Sequence, residues 1–265
     1  MSFNVAAGAY DRFMGRYSGL LPPLFADFAA VREGQRVLDV GCGPGALTGE
    51  LVRRVEPSNV SAVDPSEPFV AAMRDRFPAV TVQHAPAESL PFADDSFDTA
   101  MAQLVVHFMA DPVAGLREMS RVTHSGGVVA ACVWDHEGGK GPLGLFWDAV
   151  SQLDPEARTE SGMAGAREGH LVQLFGEAGL TDVEGDTLSV STVHQTFDDW
   201  WEPYTLGVGP AGKYVADLDE AGHTRLRELC REKLPPAPFT MTALAWAARG
   251  IASQDSNRTT AVASA

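Results

Sequence analysis

Cysteine, lysine and long apolar runs are what this chain of 265 residues has least of. Its three cysteines, Cys42, Cys132 and Cys230, lie far apart and no two form a CxxC pair. That excludes a disulfide framework and a zinc-ribbon pattern, and it reads as free buried thiols in a reducing compartment. No other His, Cys, Asp or Glu grouping has metal-ligand spacing, so no metal is expected. Lysine occurs only as Lys140, Lys213 and Lys233, and 20 basic residues face 35 acidic ones for a net charge of −15. Such a surface repels nucleic acid and anionic membranes. No apolar stretch approaches the roughly 18 residues a membrane helix needs. The opening MSFNVAAGAYDRF has no basic-then-apolar leader pattern. The expectation is a cytoplasmic protein, monomer or homodimer, that acts on a small molecule and neither on nucleic acid nor at a membrane.

What the chain does have is organised around VLDVGCGPGALTGELVRRV, residues 37–55. Val37, Leu38 and Val40 make a short apolar strand with Asp39 near its end. Gly41, Gly43 and Gly45 follow at alternate positions, where backbone can turn and a ligand can come close. Leu47, Leu51 and Val55 then recur at helical spacing. A strand, a glycine turn and a helix start predict a pocket floor rich in free N–H groups.

The remainder alternates strand and helix. Strands are expected at Val60–Val63, Val80–Gln83, Phe97–Ala102 and Val128–Val133, with helices over Glu67–Phe77 and Pro112–Val122 between them. Repeated β–α units of this kind build a doubly wound α/β sheet. Two late strands, Asp182–Thr196 and Phe239–Ala248, bring the sheet to seven, mostly parallel. No internal repeat is visible. The chain reads as one domain over residues 1–254, with core 10–135, cap segments 136–181 and 197–236, and a disordered tail 255–265. Ahead of the core, Phe13 and Tyr17 sit four apart, either on a lid over the ligand or packed at the sheet edge. Asp64 closes the second strand, where an acid reads a ribose diol, or else caps the helix that follows it.

Four blocks carry a resemblance: VLDVGCGPG (residues 37–45), VSAVDPS (60–66), AESLPFADDSFD (87–98) and REMSRVTHSGGVVAACVW (117–134). In order and spacing they resemble the class I S-adenosylmethionine-dependent methyltransferases, in the large group that includes the ubiquinone/menaquinone-biosynthesis-like enzymes. The resemblance covers residues 10–135, about half the chain. It implies a Rossmann-like fold, S-adenosylmethionine as cofactor and S-adenosylhomocysteine as product. It places Asp39, Gly41, Cys42 and Gly43 around the methionine moiety and Asp64 on both ribose hydroxyls. It sets Pro65 and Ser66 beside the adenine, Ala87 and Glu88 at the adenine edge, and Gln103 under the methionine amino group. Tyr10, Arg16 and Tyr17 resemble the family's lid segment, with Arg16 facing the cofactor carboxylate. Many members carry an acid two residues before Glu88. Here that residue is Pro86, which leaves the adenine amino group without that partner.

Two other readings stay open. The spacing Gly41-x-Gly43-x-Gly45, followed by Ala46, departs from the G-x-G-x-x-G of nicotinamide dehydrogenases, and no SxxxYxxxK set is present. A protein of this fold can also bind the cofactor without turnover. For transfer to an oxygen or carbon, His107 after the fourth strand and His136 after the fifth are the candidate bases, each with packing as the alternative. Trp134, Trp200, Trp201 and Tyr204 are the expected lining of an apolar or aromatic substrate pocket, with core packing as the alternative for some of them.

Overall fold

A computed structural model describes residues 11–253. Its strands are β1 (Val37–Val40), β2 (Val60–Asp64), β3 (Thr81–His84), β4 (Phe97–Gln103), β5 (Thr123–Trp134), β6 (Thr181–His194) and β7 (Phe239–Ile251). They form one sheet in the order β3-β2-β1-β4-β5-β7-β6. β7 pairs antiparallel with both of its neighbours, and the other ladders are parallel. This is the doubly wound, seven-stranded α/β fold expected from the sequence. β1 shows why the pattern was legible. All four of its residues are buried, as a central parallel strand covered on both faces requires.

Helices cover the two faces separately. On one face lie α1 (Leu21–Phe28), α2 (Ala46–Arg54) and α3 (Glu67–Arg76), whose Phe25, Leu51 and Met73 are buried with Val37 and Val60. On the other lie α4 (Pro112–Val122) and α6 (His170–Glu177), with Leu116, Met119, Leu171 and Phe175 on Leu38 and Val129. The number α5 belongs to Gly144–Leu153. α4 starts on Asp111, whose carboxylate accepts the Ala114 N–H at 2.9 Å, a cap that satisfies an otherwise orphaned donor.

A third cluster is built mainly outside the sheet, with Phe239 of β7 joining it. It joins Phe146, Trp147 and Val150 of α5 to Trp200 and Trp201 of α7 (Phe197–Trp201), Val215 of α8 (Gly209–Asp217) and Leu226 and Cys230 of α9 (Glu220–Lys233). Phe13 of the N-terminal segment is buried in the same cluster.

Three details differ from the sequence reading. β5 begins at Thr123 rather than Val128. Thr123 pairs with Phe97 and Val128 with Thr99, so Ser125-Gly126-Gly127 is spent on a bulge inside the strand rather than on a break before it. α6 packs on the sheet, not in the cap segment 136–181 to which it was assigned. α8 was not foreseen. Its glycine-proline start hides a helix, although proline is well placed in a first turn.

The turn from β1 into α2 depends on Gly45, at φ 91°. A Cβ there would run into Met73 Sδ and lie 2.8 Å from Phe77 Cε2. Gly45→Ala is expected to destabilise the protein by about 2 kcal/mol, from left-handed backbone strain plus displaced core side chains. A lower urea midpoint at unchanged slope is the measurement; an unaltered midpoint would show that the turn adapts freely.

Candidate active site

The C-terminal ends of β1, β2 and β4 open into a cavity of about 710 Å³, and Gly15, Ser18 and Gly19 of the N-terminal segment line it too. Of the residues expected at the cofactor, Asp39, Gly41, Cys42, Gly43, Asp64, Pro65, Ser66 and Gln103 all line this cavity. Ligands of open α/β sheets bind at this edge, and the volume lies within the usual range of small-molecule sites.

The floor is not built as expected. The Gly41 and Cys42 N–H groups both donate to the Val63 carbonyl, at 2.8 and 3.0 Å, and Gly43 N–H donates to Asp64 Oδ2 at 2.8 Å. The glycine loop therefore spends its donors inside the protein instead of offering them to a ligand. Gly41 is required by packing, because a Cβ would stand 2.5 Å from Val105 Cγ2. Gly43, at φ 51°, has no atom within 4 Å of where its Cβ would be, so its bareness leaves open space at the cavity.

Two buried acids dominate the electrostatics. Asp64 accepts from Gly43 N–H through Oδ2 and from Ser66 N–H through Oδ1, each at 2.8 Å. Burial raises its pKa, and the two N–H donors oppose the rise. Asp39, 1% exposed, accepts from Thr48 Oγ1 at 2.5 Å. Burial pushes its carboxyl up to about 7, with the Thr48 hydroxyl opposing and the Asp64 charge adding to the rise. Gln103 Nε2 donates to the Ser18 carbonyl, and its buried Oε1 has no partner among the described residues. The cavity is thus lined by two acids and by Gln103, whose Oε1 is buried.

Several residues expected at the cofactor do not line this cavity. Arg16 turns away from the cavity. Its guanidinium bonds His194 Nδ1 and the Asp199 carbonyl, each at 3.0 Å, and Asp199 Oδ1 at 3.3 Å. The Tyr17 hydroxyl lies 2.9 Å from His194 Nε2. Both residues anchor the N-terminal segment to the end of β6. Ala87 and Glu88 do not line the cavity, and Glu88 Oε1 instead accepts from the Ala110 and Asp111 N–H groups at 2.7 and 3.2 Å. Tyr10 lies outside the described residues.

A second, smaller cavity of about 40 Å³ adjoins the first, with Leu104 and Phe108 lining both. His107, His136 and Trp134 meet here, the two imidazole rings 5.6 Å apart. Burial lowers the pKa of both histidines, that of His136 to about 4, so both are neutral at pH 7. Trp200, Trp201 and Tyr204 do not line this cavity. They stack with Phe13, Phe146 and Phe197 in the third cluster. Glu160 does line it, 4% exposed, with Oε2 accepting from Trp147 Nε1 at 2.9 Å. No sequence signal marked that acid, which sits in a polar stretch. Leu104 was also missed. It is a non-glycine residue at φ 62°, and strain of that kind is often held at functional sites.

Residues 38–131 match the family described as a methyltransferase domain. The malonyl-[acyl-carrier protein] O-methyltransferase of Erwinia billingiae is 35% identical over 128 residues, 48% of this chain and 50% of its own. The ubiquinone/menaquinone biosynthesis C-methyltransferase of Geobacter sulfurreducens is 39% identical over 102 residues, 36% of this chain and 40% of its own. The chain therefore spans half or less of these relatives' length. Among solved structures, the YcgJ protein of Bacillus subtilis superposes with a TM-score of 0.58 at 19% identity, over 90% of this chain and 99% of that one. That likeness concerns the fold.

The raised carboxyl of Asp39 links stability to pH. Its folded-state pKa, about 7, exceeds the unfolded value of about 4, so its contribution is full below pH 4 and is lost as pH rises through 7. Asp39→Asn should therefore melt higher than the parent above pH 7 and level with it near pH 4, as read by calorimetry. Equal melting temperatures at pH 8 would mean that the carboxyl titrates normally.

Proposed function

We propose that this chain, whose residues 38–131 belong to the methyltransferase domain family, transfers a methyl group from S-adenosylmethionine to a small-molecule acceptor. The observation that carries this reading is the charge of the floor. Asp39 and Asp64 face the cavity while the glycine-loop N–H groups are turned inward. A dinucleotide would bring a pyrophosphate to two carboxylates and find no free donors in that loop. A sulfonium amino acid brings positive charge, and a ribose brings two hydroxyl donors. The residues present therefore fit the methyltransferase cofactor and disfavour a nicotinamide one.

In this reading Asp64 accepts from both ribose hydroxyls through the lone pairs left after its bonds to Gly43 and Ser66. Asp39 and Gln103 Oε1 hold the ammonium group. Pro65 and Ser66 border the adenine, and the bare Gly43 and Cys42 backbone admits the amino-acid arm. When bound, the cofactor supplies an electrophilic methyl carbon. The protein's own part is orientation and proton handling. The acceptor reacts at the partition formed by Leu104 and Phe108. His107, held neutral by burial, takes its proton, and His136 stands next to it. The relatives' names include transfer to oxygen and to carbon, and either fits a base at this position. The net charge of −15 and the narrow second cavity favour a small acceptor over nucleic acid.

Two measurements test this. Asp64→Ala should weaken S-adenosylhomocysteine binding at least about 100-fold by calorimetry, the scale of a lost pair of charge-assisted bonds, with an unchanged circular dichroism spectrum. Undiminished affinity would contradict the ribose role. His107→Ala should slow turnover about 100-fold with cofactor affinity intact, in an assay that follows acceptors in a metabolite extract gaining one methyl group by mass spectrometry. Cofactor binding with no methylated product from any extract would leave a binding protein without turnover.

A further inference from the structure

The cavity of about 40 Å³ joins two kinds of wall. Phe13, Phe108 and Trp134 line it, and so does one acid, Glu160. Glu160 is 4% exposed, and Trp147 Nε1 donates to its Oε2 at 2.9 Å, its one hydrogen bond among the described residues. Trp147 is packed in the third cluster, so the carboxyl is held in place. Among the described residues no arginine or lysine lines the cavity. His107 and His136 do line it, and burial keeps both neutral. A buried acid without a counter-charge is costly, and the wall supplies none.

We propose that this cavity is a cage for an ammonium group, and that the ligand carrying it is a small amine. Aromatic rings around a space attract a cation through their quadrupoles, and the acid adds the counter-charge. A carboxylate or phosphate would meet Glu160. A neutral group, water included, fills the space and leaves the acid uncompensated. The volume admits about three water-sized groups, which suits a nitrogen with two attached carbons. The net charge of −15 draws cations to the protein. Phe108, 39% exposed, lines both cavities, so the rest of the amine lies on the cofactor side of it. The cage follows from the wall alone. Taking the amine to be the acceptor rests on the methyl-transfer reading. A protonated nitrogen has no lone pair to attack with, so the cage recognises the acceptor, and another of its atoms receives the methyl group.

The test titrates ethylammonium chloride and ethanol, which share one skeleton and differ in charge, into the full chain at constant ionic strength and pH 7. The readouts are the indole N–H resonances of Trp134 and Trp147, assigned with Trp134→Phe and Trp147→Phe. Ethylammonium should move both and saturate, with at least about tenfold higher affinity than ethanol, the order of a cation among rings beside a carboxylate. Glu160→Gln keeps an acceptor for Trp147 and should bring the two probes within about twofold of each other. Should that variant not fold, Phe108→Leu should weaken ethylammonium at least about threefold and leave ethanol unchanged. Shifts that do not saturate, equal affinity for ethanol, or an undiminished preference in the folded variant overturns the cage. The methylated product from metabolite extracts should carry a basic nitrogen, and a product without one overturns the acceptor assignment. Failure of S-adenosylhomocysteine to bind would instead sink the methyl-transfer reading, and the ethylammonium titration on the protein alone would still decide the cage.

Discussion

One carboxylate holds the carboxyl edge of the sheet together. Asp64, at the last position of β2, reaches across to the Gly43 N–H of the loop after β1 and down to the Ser66 N–H at the start of α3. The two loops that frame the large cavity are thereby fixed to each other through a single side chain. Next to it, the Val63 carbonyl takes two further N–H groups from the same glycine loop. The floor is rigid before any ligand arrives, and its charge is set by the group that makes it rigid. Pre-organisation of this kind removes an ordering cost from binding.

Asp39 completes the pair. A second buried acid close to the first is unfavourable, and the structure relieves it by the Thr48 hydroxyl and by a raised carboxyl pKa. A positive ligand would relieve it further. Burial is the largest cause of that rise and the Asp64 charge adds to it, a perturbation of the kind that gathers at binding centres.

Most of the sheet half was legible, because buried parallel strands and amphipathic crossover helices leave strong periodic traces. The Val37–Val55 stretch is the clearest case. Asp64 was expected at the end of β2, at a ribose or as a helix cap, and it lines the cavity there. The site was less legible where a side chain has a distant partner. Arg16 and Tyr17 were expected at the cofactor, yet they bond His194 and Asp199 more than 170 positions away. Glu88 was expected at the adenine, yet its carboxylate closes the loop before α4. The aromatic run Phe197–Tyr204 was expected in a pocket, yet it forms a core of its own. Each misplacement came from long-range partners, which local pattern does not encode. Glu160 was invisible for the converse reason, since nothing in a polar stretch announces that one of its acids will be buried.

The anchoring of the N-terminal segment has a thermodynamic corollary. His194 Nδ1 meets a guanidinium, which can only donate, so the ring must keep that nitrogen bare and stay neutral to hold Arg16. Tyr17 grips the opposite nitrogen of the same ring. Lifting the segment off the large cavity therefore strips Arg16 from one side of the imidazole, while Nε2 on the other keeps the Thr192 hydroxyl at 3.1 Å. The attachment is therefore uneven, since Arg16 takes one ring nitrogen and Tyr17 shares the other with Thr192.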